Sequence, residues 1–169
     1  IISELPKNRK KIITKAIPLE RYDEIIKAIE RALKRSEKVY WICPLLEMSE
    51  NLDMTALQKR YEILSKKFEI YNPVLAHGKM SKEDREESIN NFFSNKSRVL
   101  VASTVIEVGI DIPDATIIII ENSERFGLAQ LHQLRGRVGR GSKQSYCILM
   151  YNKNISRIGK SRLETLRNS

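Results

Sequence analysis

Strand-length apolar runs recur along this chain as KKIITKAI, VYWICPLL, PVLAHG, RVLVAS, ATIIIIE and SYCILMY, separated by segments whose apolar residues return every three or four positions. A near-continuous apolar run predicts a strand covered on both faces, and helical spacing between such runs predicts crossover helices. About six strands follow from this count. The alternation points to an α/β fold with a mostly parallel sheet and helices on both faces.

The intervening segments carry further signals. Pro18 is expected to open a helix in which Tyr22, Ile25, Ile26, Ile29, Ala32 and Leu33 form the core stripe. After Pro44 the polar stretch EMSENLDM reads as a loop at a strand's carboxyl end, where α/β folds carry ligand sites. Thr55 with Gln58 is expected to cap the next helix, with Tyr61, Leu64 and Phe68 facing inward, and Ser81 with Asp84 the one after, which ends in Phe92 and Phe93. NKNISRIGKSRLETLRNS reads as a basic helix. The expected division is one domain over residues 1–152, followed by the truncated start of a further helical segment over 153–169.

Composition narrows the class. With 169 residues, 41% of them hydrophobic, the chain supports one domain with a full core. Thirty Lys and Arg against 21 Asp and Glu give +9, which favours a polyanionic partner, nucleic acid or an acidic membrane surface, over a merely solvated basic surface. Cys43 and Cys147 both fall inside strand-like runs, so two buried thiols are expected rather than a disulfide. Two Cys with His77 and His132 do not make a metal cluster. No apolar stretch reaches the roughly 18 residues of a membrane span, and IISELPKNRK lacks the order of a signal peptide. The start also lacks Met, so the chain is expected to be a piece whose upstream part lies elsewhere, and its thiols suit a reducing cytoplasm.

QLRGRVGRG, residues 133–141, is the candidate chemistry. Gly136 and Gly141 have the spacing of a phosphate-binding loop, but Ser142-Lys143 reverses the required order of Lys before hydroxyl, and the segment follows a helical pattern instead of a strand. Asp23-Glu24 lies inside a helix and is surface charge. The chain alone is therefore expected not to hydrolyse a nucleotide. As a helix the segment puts Gln133, Arg137 and Arg140 on one face, joined by Gln130, with Leu131, Leu134 and Val138 opposite. Planar guanidinium forks on such a face suit a phosphate and the charge that develops in its transfer. A solvated basic face is the plainer alternative. Arg135 falls on the apolar side with no evident role.

Gln133-Leu-Arg-Gly-Arg-Val-Gly-Arg140 resembles motif VI, Q-x-x-G-R-x-G-R, of superfamily 2 helicases. Thr104-Val-Ile-Glu107-Val-Gly109-Ile-Asp111-Ile-Pro113 resembles motif V, and His77-Gly78 the turn between motifs IV and V. ENSERFGLAQLHQLRGRVGRG, WICPLLEMSE and ELPKNRKK extend the resemblance to the branch of that superfamily that remodels forked DNA. What it implies is a second RecA-like domain of P-loop NTPase type without a Walker A sequence, working with a first RecA-like domain that holds ATP and Mg2+. Arg137 and Arg140 would be arginine fingers, with Gln133 near the terminal phosphate and Gly109 and Asp111 at the nucleotide. Thr104, His77 and Gly78 would contact the DNA backbone, and Glu107 would lie between the two groups.

Each role has an alternative: Thr104 and Glu107 as caps, Asp111 as a turn residue, His77 as a structural histidine. Trp41 is expected in the core. The expected function is half of a motor that hydrolyses ATP to translocate on DNA and unwind or reverse branched structures. Membrane contact is not expected. A transcription-repair coupling translocase, or a nucleic-acid-binding module without an ATPase role, are the other readings.

Overall fold

A computed structural model describes residues 11–103, 115–138, 143–152 and 157–169. The six expected strands are present: β1 (Ile13–Pro18), β2 (Lys38–Cys43), β3 (Val74–Ala76), β4 (Val99–Ser103), β5 (Ala115–Ile120) and β6 (Tyr146–Tyr151). They form one sheet in the order β1-β6-β5-β2-β4-β3, and every pairing is parallel.

The helices are α1 (Tyr22–Lys34), α2 (Glu50–Lys67), α3 (Lys82–Phe93), α4 (Leu128–Arg135) and α5 (Arg157–Arg167). Alternation along β2 shows how they are layered. Val39, Trp41 and Cys43 pack with the stripe of α1 and with Leu57 and Leu64 of α2, whereas Tyr40 and Ile42 pack with Phe92 of α3, Leu131 and Leu134 of α4, and Leu163 and Leu166 of α5. The crossovers through α1 and α2 step one way across the sheet on the first face, and those through α3 and α4 step back on the second, as crossovers of a single hand require. The segment after Tyr151 thus adds two residues to the same core as the sheet.

Several local expectations are corrected. Pro18 ends β1 instead of opening a helix; a single 3-10 turn, Leu19–Arg21, separates it from α1. The stretch EMSENLDM is not a loop, because Glu47–Ser49 forms a 3-10 turn and α2 begins at Glu50. Thr55 therefore lies inside α2, where its hydroxyl donates to the Asn51 carbonyl at 3.0 Å and caps nothing. The residue that anchors this helix start is Asp53, which is buried and accepts from the Leu46 amide at 2.9 Å and the Ser49 hydroxyl at 2.8 Å. The cap at Ser81 is present, its hydroxyl accepting from the Asp84 amide at 3.1 Å. Phe92 is buried there, but Phe93 is exposed. Trp41 is fully buried, and both cysteines are buried and free.

Candidate nucleotide and nucleic-acid site

In a parallel sheet, ligands bind at the carboxyl ends of strands, where neighbouring connections diverge. Here the chain leaves β2 toward β3 and leaves the adjacent β5 toward β6, so the divergence lies between β2 and β5. Two ion pairs bridge that crevice. Glu121 extends the ladder past β5, its amide donating to the Ile42 carbonyl at 2.8 Å. Its carboxylate receives Arg60 of α2 at 2.8 and 2.9 Å, Trp41 Nε1 at 2.8 Å and the Cys43 thiol at 3.5 Å. The Arg60 guanidinium also lies over the rings of Tyr22 and Trp41, at 4.8 and 5.0 Å from their centroids. The second pair joins Arg125 to Asp53 at 2.8 and 3.0 Å.

These residues were not singled out in the sequence, because each sits in a segment read for its apolar stripe or as a loop. Burial alone would push the Asp53 carboxyl up, but hydrogen bonds from Arg125, Leu46 and Ser49 and the charge of Arg125 hold it below its ordinary value.

The turn to α4 follows from the same region. Asn122 adopts a left-handed conformation at φ 50°, which Asn tolerates better than most residues. Ser123, fully buried, then donates to the Met150 carbonyl at 2.7 Å. α4 buries Leu131 and Leu134 and, past its end, Val138, the apolar side expected for this segment.

The expected continuous helical face is corrected in its second half. α4 stops at Arg135, Gly136 is its C-cap, and Arg137 lies in the following turn with its amide donating to the Leu134 carbonyl at 3.1 Å. A helical wheel does not extend from Gln133 past that stop to Arg137. Gln133 is exposed on α4, and Arg137 is half-buried just beyond the cap. A Cβ at Gly136 would meet nothing closer than the helix's own carbonyls at 3.6 Å. Among the described residues nothing demands glycine there.

Arg135 now has an account. Its Nη1 lies 3.2 Å from Thr14 Oγ1, 3.1 Å from the Leu166 carbonyl and 2.9 Å from Ser169 Oγ, so one guanidinium joins α4 to β1 and to the end of α5.

His77 and Gly78 form the turn after β3, beside the end of β4, since Ala76 pairs with Ala102. Gly78 is exposed and His77 is buried. His77 Nδ1 accepts from the Lys79 amide at 3.1 Å, which leaves the proton on Nε2. Burial, and then the charge of Arg85, hold this imidazole below its ordinary value. Lys79 pairs with Glu50 at the start of α2. β4 ends at Ser103, one residue before Thr104. Thr104, Glu107, Gly109, Asp111 and Arg140 lie outside the described residues.

The described part of the site offers a guanidinium and an amide at one helix end and a histidine-glycine turn at a strand end. Those donor groups fit contacts to phosphate, but not a pocket that would enclose a nucleotide. Among the described residues no group of three His, Cys, Asp or Glu could hold a metal ion, and no helix is long and apolar enough to cross a membrane.

The family model for the helicase conserved C-terminal domain matches residues 20–142. ATP-dependent DNA helicase RecG of Haemophilus influenzae is 42% identical over the whole chain, which spans 24% of that protein. RecG of Aquifex aeolicus is 45% identical over 99% of the chain and 21% of its own length. The chain thus spans about a quarter of the curated relatives it matches. A solved structure of RecG bound to a three-way DNA junction superposes with a TM-score of 0.79 at 37% identity, covering 97% of this chain and 21% of that one. The yeast splicing factor Prp28, at 16% identity and TM-score 0.71 over 95% of the chain and 33% of its own, shares the fold.

Proposed function

Because the chain belongs to the helicase conserved C-terminal domain family, we propose that it is the second motor domain of an ATP-dependent translocase that remodels branched DNA. The observation that carries this reading is the complete Gln133–Arg140 pattern of the sequence, whose described part sits at a helix end that buries Leu131 and Leu134 and exposes Gln133. The likeness to RecG along the whole chain supports a motor acting on branched DNA over a transcription-coupled translocase.

In this reading the nucleotide and Mg2+ are held chiefly by a first RecA-like domain, and bound ATP supplies the γ-phosphoryl group that is transferred to water. This chain's contribution is positioning and charge. Arg137, with Arg140, neutralises the charge that develops on the phosphoryl oxygens, and Gln133 orients groups beside it. Gly109 and Asp111 would serve the nucleotide, Asp111 as an acceptor for the ribose hydroxyls. At Gly136 the absent side chain leaves room for the facing domain. His77, Gly78 and Thr104 contact phosphates of the DNA, which gives little sequence preference and a steep dependence on salt.

Movement is coupled to the nucleotide because closure of the two domains depends on charge that hydrolysis removes. His77 and Gly78 follow the end of β3 and Arg137 follows the end of α4. The sheet that carries both would transmit closure at the nucleotide to the DNA.

Arg137→Ala in the full-length polypeptide is expected to lower DNA-stimulated ATP turnover by roughly 10³-fold, with junction binding retained within about threefold. Wild-type turnover in that variant would remove the finger assignment.

A further inference from the structure

β1 lies at one edge of the sheet, and its α1-facing side is not covered by a second helix. A groove of about 520 Å³ opens there, with β1 and β6 as its floor and α1 as one wall. Lys15, Ile17 and Tyr146 lie on the floor, Arg31 and Arg35 on the wall, and Arg167 at the margin. Arg35 pairs with Glu37, and Arg21 at the far end of the wall pairs with Glu24, the one acidic residue of the lining. Lys15 Nζ lies 5.6 Å from the Tyr146 ring centroid. No carboxylate is paired with Lys15, Arg31 or Arg167 among the described residues.

The wall runs along the groove. Arg31 and Arg35 stand one helical turn, about 6 Å, apart on the wall, with Lys15 on the floor and Arg167 at the margin. Cations spread over wall, floor and margin suit successive phosphates of an extended polyanion and are more than a single phosphate needs. A half-buried tyrosine beside them gives a surface on which a base can stack, and positive grooves with aromatic platforms are how single strands are held without sequence preference. A duplex has its bases already stacked and offers the tyrosine nothing.

We propose that this groove binds a single strand of nucleic acid, with its phosphates along Arg31, Arg35 and Lys15 and a base on Tyr146. The site is separate from the His77–Gly78 turn. It rests on the motor reading only for the origin of the strand, one that unwinding would release.

The test uses fluorescein-labelled oligothymidylate of twelve nucleotides and the 169-residue chain. Lys15→Glu combined with Arg31→Glu is expected to weaken binding at least tenfold at low salt. It should also lower the slope of log affinity against log salt by about 1.4, at about 0.7 per phosphate contact. Lys59→Glu, an exposed change on α2, should alter binding less than twofold. Bromodeoxyuridine-substituted oligonucleotide should crosslink to the peptide containing Tyr146. If the charge-reversed pair unfolds, as read by circular dichroism, the Lys15→Gln and Arg31→Gln pair replaces it, with a threefold loss expected.

Equal losses for Lys59→Glu, crosslinks confined to residues 77–80, or displacement by polyglutamate as effective as by unlabelled oligothymidylate would each overturn the groove. None of these results touches the motor reading, which stands or falls on turnover of the Arg137 variant.

Discussion

Arg135 shows how much one side chain can decide. On a helical wheel it is a charge on the apolar side of α4, with nothing in the sequence to say why. In the fold its guanidinium reaches β1 through Thr14 and the end of α5 through the Leu166 carbonyl and Ser169, while His132 accepts at 3.4 Å. Arg135→Ala leaves the buried Thr14 hydroxyl without its donor and removes the charged one of the donors to the Leu166 carbonyl, which keeps Ser169; such losses to a charged partner cost about 2 kcal/mol. Chemical denaturation should show that loss, and hydrogen exchange should show α5 amides losing protection before those of β2. Unchanged exchange in α5 would mean that Leu163 and Leu166 alone hold the helix. The sequence placed Gln133 and Arg137 correctly as polar residues near a helix end. It could not place the end itself, because Gly136 stops α4 at a position the residue periodicity passes through.

At the scale of elements, the start of α2 carries the largest correction. A polar stretch with Ser, Asn and Asp looks like a loop because these residues bond their own backbone outside helices. Asp53 does make such a bond, to the Leu46 amide, but from inside the first turn of a helix, and Arg125 arrives from the far side of the crevice to complete it. This pair fixes α2 against the segment that leads into α4. Its pH dependence has a definite sign. Asp53 has a folded pKa below its unfolded value, so its contribution is fully present above about pH 5 and is lost as pH falls through about 4 and below. Asp53→Asn should therefore destabilise the chain at pH 7 and flatten its acid-unfolding profile; parallel profiles for the two proteins would contradict this. The caps at Ser81 and the stripe of α1 were legible because they depend on neighbours within four residues.

For the whole molecule, the sheet buries both cysteines. Burial, aided by Glu121 and opposed by Arg60, pushes the Cys43 thiol well up; burial pushes that of Cys147 up to about 12 despite Arg135. Neither thiol should react with a disulfide reagent at pH 8 until the chain unfolds globally, so the modification rate should follow the unfolding rate. Fast labelling of either cysteine in the native chain would show that the sheet opens locally. By itself the sequence determined the number of strands, the class of fold, the buried thiols, Trp41 in the core and the family, because period, burial and motif are properties of short segments. Tertiary structure alone decided the strand order, the bridging of the β2–β5 crevice by Arg60, Glu121, Asp53 and Arg125, the work of Arg135, and the basic groove beside β1. The two ion pairs join residues 61 and 72 positions apart and Arg135 reaches Thr14 across 121; which distant segments meet is set by how faces pack, which no local pattern encodes.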